Sequence, residues 1–354
     1  NNTTITLKQK QTSIGVITNI VITNSYISFS ITLDNNCDGD LDGDKDDNYD
    51  PYNDPNALTY IPDDNFEQAL IDKGYDDKLD DYVLTSVISK IKELVIRQDR
   101  YNDSPLKISD ATGIEDFISI NELDLEANNI SNIDLSNNKL LRTLNLGFNN
   151  LEGELDLSSN TNLNLVILQF NENLNGVNVK NSPNLEDLTI GGYADSIDVS
   201  NNKKLKYLTF RASEKLENID VSNNTKLIWL VFNLEKNDII ETIDVSMIEN
   251  LDYFSVRDNG VLRCIKVNQY QLDNTPSSGV CCSNDWIYPS SAVLRLECNV
   301  TYVPDDNFEQ ALIDLGLDDV LDDYVLTKNI KDLEVGMDLS NKNISDLTGL
   351  EDLK

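Results

Sequence analysis

The sequence contains no histidine. That removes the commonest general base, the Ser–His and Cys–His dyads, and nearly all familiar zinc enzymes. Basic residues are scarce: 28 Lys and Arg stand against 62 Asp and Glu, a formal charge of −34. Polyanions and anionic lipids bind basic surfaces, so nucleic acid and lipid docking are not expected. Long apolar runs are missing too. The one stretch of note, "SIGVITNIVITNSYISFSI", is broken by Asn19 and Asn24 and is rich in Ile, Val and Thr. It reads as two β-strands, with no membrane insertion. No cleavable leader is visible, so any leader is expected to be gone already. Neither G-x-S-x-G nor a glycine-rich phosphate loop is present. Carboxylate pairs are too abundant for one to stand out as a glycosidase site, so no catalytic residue is expected.

Five cysteines are Cys37, Cys264, Cys281, Cys282 and Cys298, and no C-x-x-C zinc pattern occurs. The last four crowd together, which favours a local disulfide knot in an oxidising compartment over a metal site. The acidic excess suits solubility outside a cell and suits divalent cations.

Residues 1–36 look like paired strands, the end of an upstream β-domain. Residues 37–58 form an acidic linker containing "CDGDLDGDKDDNYD". Asp38, Asp40 and Asp42 alternate before Gly43, and Asp46 follows at the ninth position, which is the opening of a calcium loop. An EF-hand would have Glu where Tyr49 stands, so a full EF-hand is not expected. The segment resembles the acidic calcium loops of thrombospondin type 3 repeats. Calcium binding and a plain solvated linker remain equal readings.

One phrase is written twice. From Tyr60 to Thr85 and from Tyr302 to Thr327, all but four of 26 positions are identical. Asp64 with Glu67 predicts a capping-box helix start, Phe66, Ala69 and Leu70 give one apolar face, and Gly74 ends the helix. "DDKLDDYVLT" predicts a second helical turn carrying Leu79 and Tyr82.

Between the copies runs a second pattern. Leu123-Asp124-Leu125, Leu144-Asn145-Leu146, Leu168-Gln169-Phe170, Leu188-Thr189-Ile190, Leu208-Thr209-Phe210, Leu230-Val231-Phe232 and Phe254-Ser255-Val256 recur at spacings of about one solenoid turn. Alternating with them are "IDLSNN" at Ile133, "LDLSSN" at Leu155, "VNVKNS" at Val177, "IDVSNN" at Ile197 and Ile219, and "IDVSMI" at Ile243. This predicts a leucine-rich repeat solenoid: a right-handed coil with short parallel strands and few helices. Asn128, Asn138, Asn149, Asn160, Asn202 and Asn224 should turn inward and satisfy backbone groups at the bends. A stack exposes apolar ends, so covers are required. The predicted parts are a helical N-terminal cap at 59–93, the array at 94–262, a disulfide-containing C-terminal cap at 263–300, and the start of a second capped array at 301–354. The sequence is expected to be an excerpt from a longer protein.

"YIPDDNFEQALID", "ISDLTGLEDL" and the repeated "IDVSNN" closely resemble secreted leucine-rich repeat proteins of Bacteroidota, especially flavobacteria. The resemblance implies a disulfide between Cys264 and Cys298, with Trp286 packed over the last coil. Cys281 and Cys282 depart from the family pattern and leave that connectivity open. It also implies export by outer-membrane secretion machinery, often type IX, and a place on the cell surface or outside it.

Along the second column the outward residues Asp134, Asp156, Asp198, Asp220 and Asp244 repeat together with serines, which indicates a structural demand met by hydrogen bonding. Along the first column they vary. Tyr207, Arg211, Trp229, Asn233, Tyr253 and Arg257 gather toward the C-terminal coils, and Tyr, Trp and Arg are common interface anchors. The plainer reading has Trp229 and Tyr253 merely covering neighbouring coils. The function expected is non-catalytic binding of protein or glycan at a cell surface. The alternatives are a stalk in a large surface protein and, less so, an accessory region of a hydrolase.

Overall fold

The structure is a computed structural model. It describes residues 50–100, 106–234, 237–257, 261–275, 286–331 and 336–352, together with the backbone of two strands, Val16–Thr23 and Tyr26–Thr32. Those two strands pair antiparallel within a unit that runs to Asp54. They are the paired strands expected from the Ile/Val/Thr-rich run. Asp38, Asp40, Asp42, Asp46, Cys37, Cys281 and Cys282 lie outside the described residues.

The second unit, from Pro55 onward, is the solenoid. Its first-column strands form one nine-stranded parallel sheet from Glu93–Val95 to Trp286–Ile287. Leu94, Leu123, Leu144, Val166, Leu188, Leu208, Leu230 and Phe254 stand in line across it, all fully buried. Each short strand buries only a few side chains, and the stack makes them one continuous core. One coil departs from the expected frame. There Val166 and Leu168 point inward and Phe170 points out, half exposed, whereas the sequence pattern had assigned Leu168 and Phe170 to the core. Phe170 (φ 57°) takes the left-handed position that Ala127 (φ 62°) and Phe148 (φ 56°) hold in the two preceding coils, and Val166, paired with Leu144, takes the core place.

Asparagines hold the bends in two ladders. Asn128, Asn149 and Asn171 line one corner. The Asn149 amide donates to Leu125 O and Leu146 O at 3.0 Å each, and its oxygen accepts from Ile130 N at 3.0 Å. Asn138, Asn160, Asn202 and Asn224 line another, each fully buried and donating to two carbonyls. Ser182 replaces Asn in the middle of that ladder and donates once, to Asn160 O. Along the second column each ladder aspartate accepts from the backbone of the serine two residues on, as in Ser136 N to Asp134 and Ser246 N to Asp244, both 2.9 Å. Hydrogen bonds from Ser158, Ser200 and Ser222 hold the Asp156, Asp198 and Asp220 carboxyls below the usual range, so these three stay ionised.

The cap covers the first coil. Phe66 is fully buried and stacks on Phe117 with centroids 6.2 Å apart. The helix Asp64–Asp72 starts one residue earlier than predicted. Its N-cap is Asp63, not Asp64, and Glu67 does not close a capping box. Asp63 Oδ1 accepts from Asn65 N and Phe66 N, both 3.0 Å. Its Oδ2 accepts from Ser109 N and Oγ at 2.8 Å and from Asp110 N at 3.0 Å. One carboxylate thus pins "DDNF" to "ISD" across 46 residues. The second copy repeats it: Asp305 takes Asn307 N, Phe308 N, Ser345 N, Ser345 Oγ and Asp346 N. This explains why the two phrases are duplicated together. Gly113 (φ 97°) and Gly349 (φ 99°) let the coil pass close under the cap strand, since a Cβ would sit 2.8 Å from Tyr60 O and 2.7 Å from Tyr302 O. The expected second helical turn is absent. Tyr82–Leu84 is a strand paired with Leu58–Tyr60, and a short helix follows at Thr85–Ile88. Leu79 is 52% exposed, so it anchors nothing.

At the other end Cys264 and Cys298 are bonded, with Cα atoms 5.6 Å apart. Trp286 supplies the last strand of the large sheet, lies 5.0 Å from the Phe254 ring, and donates from Nε1 to Leu251 O at 3.3 Å. A separate small core in the second cap is built from Val303, Phe308, Leu312, Val325 and Ile330.

Candidate ligand-binding face

Strand pairing decides which outward side chains meet. Tyr207, Trp229 and Tyr253 stand in register on adjacent strands, and so do Arg211, Asn233 and Arg257. Two rows, one aromatic and one polar, therefore border a middle row of Thr189, Thr209, Val231 and Ser255. All six residues predicted from the sequence fall on this patch. In the middle row Thr189, Thr209 and Val231 are half-buried and Ser255 is fully buried, each between two core positions of the repeat.

Trp229 and Tyr253 stack at 3.9 Å with their planes 12° apart. The stack does not hide them: Trp229 stays 40% exposed, and Tyr207 beside it 41%. The covering role and the presenting role therefore coexist. The cleft they border has a volume of about 380 Å³ and reaches Phe170 and Arg257. Burial holds the carboxyl of Asp187, in register with Tyr207, above the usual range.

The patch is widened by a bulge the repeat pattern did not reveal. Pairing shifts between Thr189 and Tyr193, and Gly191 and Gly192 fill the gap against the preceding coil. A Cβ on either would collide with that coil's backbone. Arg211 is committed within this region. Its Nη1 lies 3.0 and 3.1 Å from the two carboxylate oxygens of Glu172, and its guanidinium sits 5.6 Å from the Tyr193 ring. Arg257 donates to Ser255 Oγ at 3.3 Å and makes no ion pair among the described residues. Of the two arginines it is the more available to a ligand.

The N-terminal part of the same sheet face is occupied by its own charges. Asp124 and Glu126 are nearly buried, and Arg97 meets Asp124 at 2.6 Å while Arg100 pairs with Glu126. Asn145 donates to both acids, and Arg100 lies 4.7 Å over the Phe148 ring. Phe148 in turn stacks on Phe170 at 4.2 Å. Asn145, between the core residues Leu144 and Leu146, is buried beneath this network. The acid–base pairing was hidden because its partners lie 27 residues apart, one coil away.

Among the described residues no helix is long and apolar enough to cross a membrane. No family model matches the chain, and no curated protein matches it. Among solved structures, an internalin from Listeria monocytogenes shares 22% identity with a TM-score of 0.46, covering 70% of this chain and 73% of that one. A second Listeria monocytogenes internalin shares 21% identity with a TM-score of 0.37, covering 56% and 94%. A leucine-rich repeat protein from Leptospira interrogans shares 15% identity with a TM-score of 0.29, covering 62% and 69%. These are likenesses of coil architecture at low identity.

Proposed function

We propose that this chain is a non-catalytic binding module and that it takes a protein or glycan ligand on the sheet face between Tyr207 and Arg257. The observation that carries the proposal is the half-exposed Trp229–Tyr253 stack beside Tyr207, bordering a cleft of about 380 Å³. Rigid aromatic surface of this kind loses little entropy on binding, and Trp, Tyr and Arg dominate interface energetics. The absence of histidine supports a role without general acid–base chemistry. The resemblance to secreted leucine-rich repeat proteins of Bacteroidota supports export across the outer membrane and display at the cell surface. Glycan-array and pull-down binding with the full chain tests the face. Trp229→Ala and Arg257→Ala should each weaken binding at least tenfold, and Arg211→Ala should weaken it less. Binding that survives both of the first two changes places the ligand elsewhere.

A second reading, a stalk of tandem solenoids, rests on the second cap. Arg295 of the C-terminal cap pairs with Asp322 and lies 5.0 Å over the Tyr324 ring, so the two caps are joined by specific contacts. If no ligand is found and deleting the array disables a distal domain, this reading holds instead.

A further inference from the structure

Glu67 is the least expected residue in the cap. It is fully buried, on a helix whose other buried residues, Phe66 and Leu70, are apolar. Its Oε1 accepts from Asp80 N at 2.9 Å and Tyr82 N at 3.1 Å, which pins the loop that carries Asp81. Its Oε2 is buried and has no hydrogen-bond partner. A carboxylate oxygen removed from water without a partner costs several kcal/mol by order of magnitude. Something must recover that cost.

What faces Glu67 is more negative charge. Oxygen atoms of Asp64, Glu67 and Asp81 lie within 4.8 Å of one another. Coulomb repulsion at that spacing opposes the arrangement. Asp81 also sits in the left-handed region (φ 68°), which a non-glycine residue adopts at some cost. The nearby lysine, Lys78, pairs with Asp80 at the surface and not with the cluster. The second cap repeats the buried glutamate and the left-handed aspartate, while the close three-acid cluster is found, among the described residues, in the first cap alone. Glu309 is buried, its Oε1 accepts from Asp322 N and Tyr324 N, its Oε2 has no partner, and Asp323 has φ 66°.

We propose that Asp64, Glu67 and Asp81 bind a divalent cation of the calcium class, closing the N-terminal cap. Three carboxylates are a hard, all-oxygen donor set, and calcium accepts such sets in irregular geometry with water completing the shell. Glu67 Oε2 gains the partner it lacks, and the cation neutralises the repulsion among the three acids. The cation ties the helix start, through Asp64, to the loop before the strand Tyr82–Leu84, through Asp81. Magnesium suits the site less, because it holds its waters and demands octahedral order.

The test is hydrogen exchange by mass spectrometry on the full chain, in EDTA and in about 1 mM CaCl2, the range of extracellular calcium modules. Peptides spanning residues 64–84 report this site separately from the acidic segment 37–58 and from the second cap. Calcium should slow exchange there at least tenfold, and MgCl2 at the same concentration should do less. Asp64→Asn with Asp81→Asn should abolish the calcium effect while leaving exchange in EDTA as in the wild type, since Asn tolerates the left-handed conformation. Glu67→Gln should also abolish it, and in EDTA should exchange no faster than the wild type, because a buried charge is gone. No calcium response at 64–84, or an equal response in the Asp64→Asn/Asp81→Asn variant, overturns the proposal.

Discussion

Asp63 is the residue on which the cap depends, and removing its carboxylate should detach the lid without disturbing the coils beyond. The carboxylate caps the helix with one oxygen and takes three donors from residues 109–110 with the other. Burial opposes its ionisation, but the hydrogen bonds from Ser109, Asp110 and Phe66 outweigh it and hold the pKa below the usual value. Asp63→Ala loses an N-cap, worth about 1 kcal/mol. It also leaves the Ser109 and Asp110 N–H groups partly buried without acceptors, at roughly 1 kcal/mol each once water reaches them. The loss should therefore be about 3 kcal/mol, equivalent to roughly a hundredfold in local opening. Hydrogen exchange of peptides covering 64–72 and 106–117 should quicken by that factor, while peptides beyond 200 stay unchanged. Ser109→Ala removes only the hydroxyl bond and should cost about 1 kcal/mol. Because the folded pKa is depressed, this contribution is present above the unfolded value of 3.8 and is lost only as pH falls through the lower folded value. An Asp63→Ala change that leaves both peptides as protected as in the wild type refutes the reasoning.

The second cap should show the opposite pH trend at one residue. Asp318 is pushed up to about 6 by burial and by Glu309, Asp322 and Asp319, so its ionisation costs stability above that pH and the cost is relieved as pH falls from 6 toward 3.8. Asp318→Asn should remove that dependence, read by exchange of peptides 306–326 between pH 7 and pH 5. Losing the Cys264–Cys298 bridge, which closes a loop of sequence separation 34, should cost about 4 kcal/mol by loop entropy, read by urea unfolding of Cys264→Ser/Cys298→Ser. Asn160→Ala strands Leu135 O and Asn138 O in the core and should cost about 2 kcal/mol in the same assay. Gly191→Ala forces the bulge against the backbone of Phe170 and should cost about 2 kcal/mol and weaken ligand binding with it.

The solenoid could be read from the sequence because its physics is periodic. A buried leucine at a fixed place in each turn and an asparagine at each bend leave a mark every coil, and Asn160, Asn202 and Asn224 stand where the pattern puts them. The aromatic patch was legible for the same reason. A constant scaffold fixes which outward positions are adjacent, so Tyr207, Trp229 and Tyr253 could be aligned by counting. What escaped is what breaks the period. Leu168-Gln169-Phe170 mimics the spacing of a core pair that Val166 and Leu168 supply, and Gly191 and Gly192 make a bulge that no neighbouring coil repeats. The helix start escaped for a different reason. "PDDNFE" offers two aspartates, and local capping rules favour Asp64 paired with Glu67. Ser109 and Asp110 decide for Asp63 from 46 and 47 residues away.

Those same long-range bonds bear on how the protein divides its tasks. Asp63 and Glu67 of the cap face inward toward backbone donors, while the acids of the second column face serines of their own turn. Neither set approaches the row of Tyr207, Trp229 and Tyr253. The cap pin, the asparagine ladders and the disulfide stabilise the fold without lining the cleft. A substitution at Trp229 therefore gives up the ring stack, worth about 1 kcal/mol, and little else of the coil. A solenoid whose exposed aromatics can be exchanged without unfolding the coils beneath them is free to vary that row. Such freedom suits a surface that meets a ligand better than one that only spaces two caps apart.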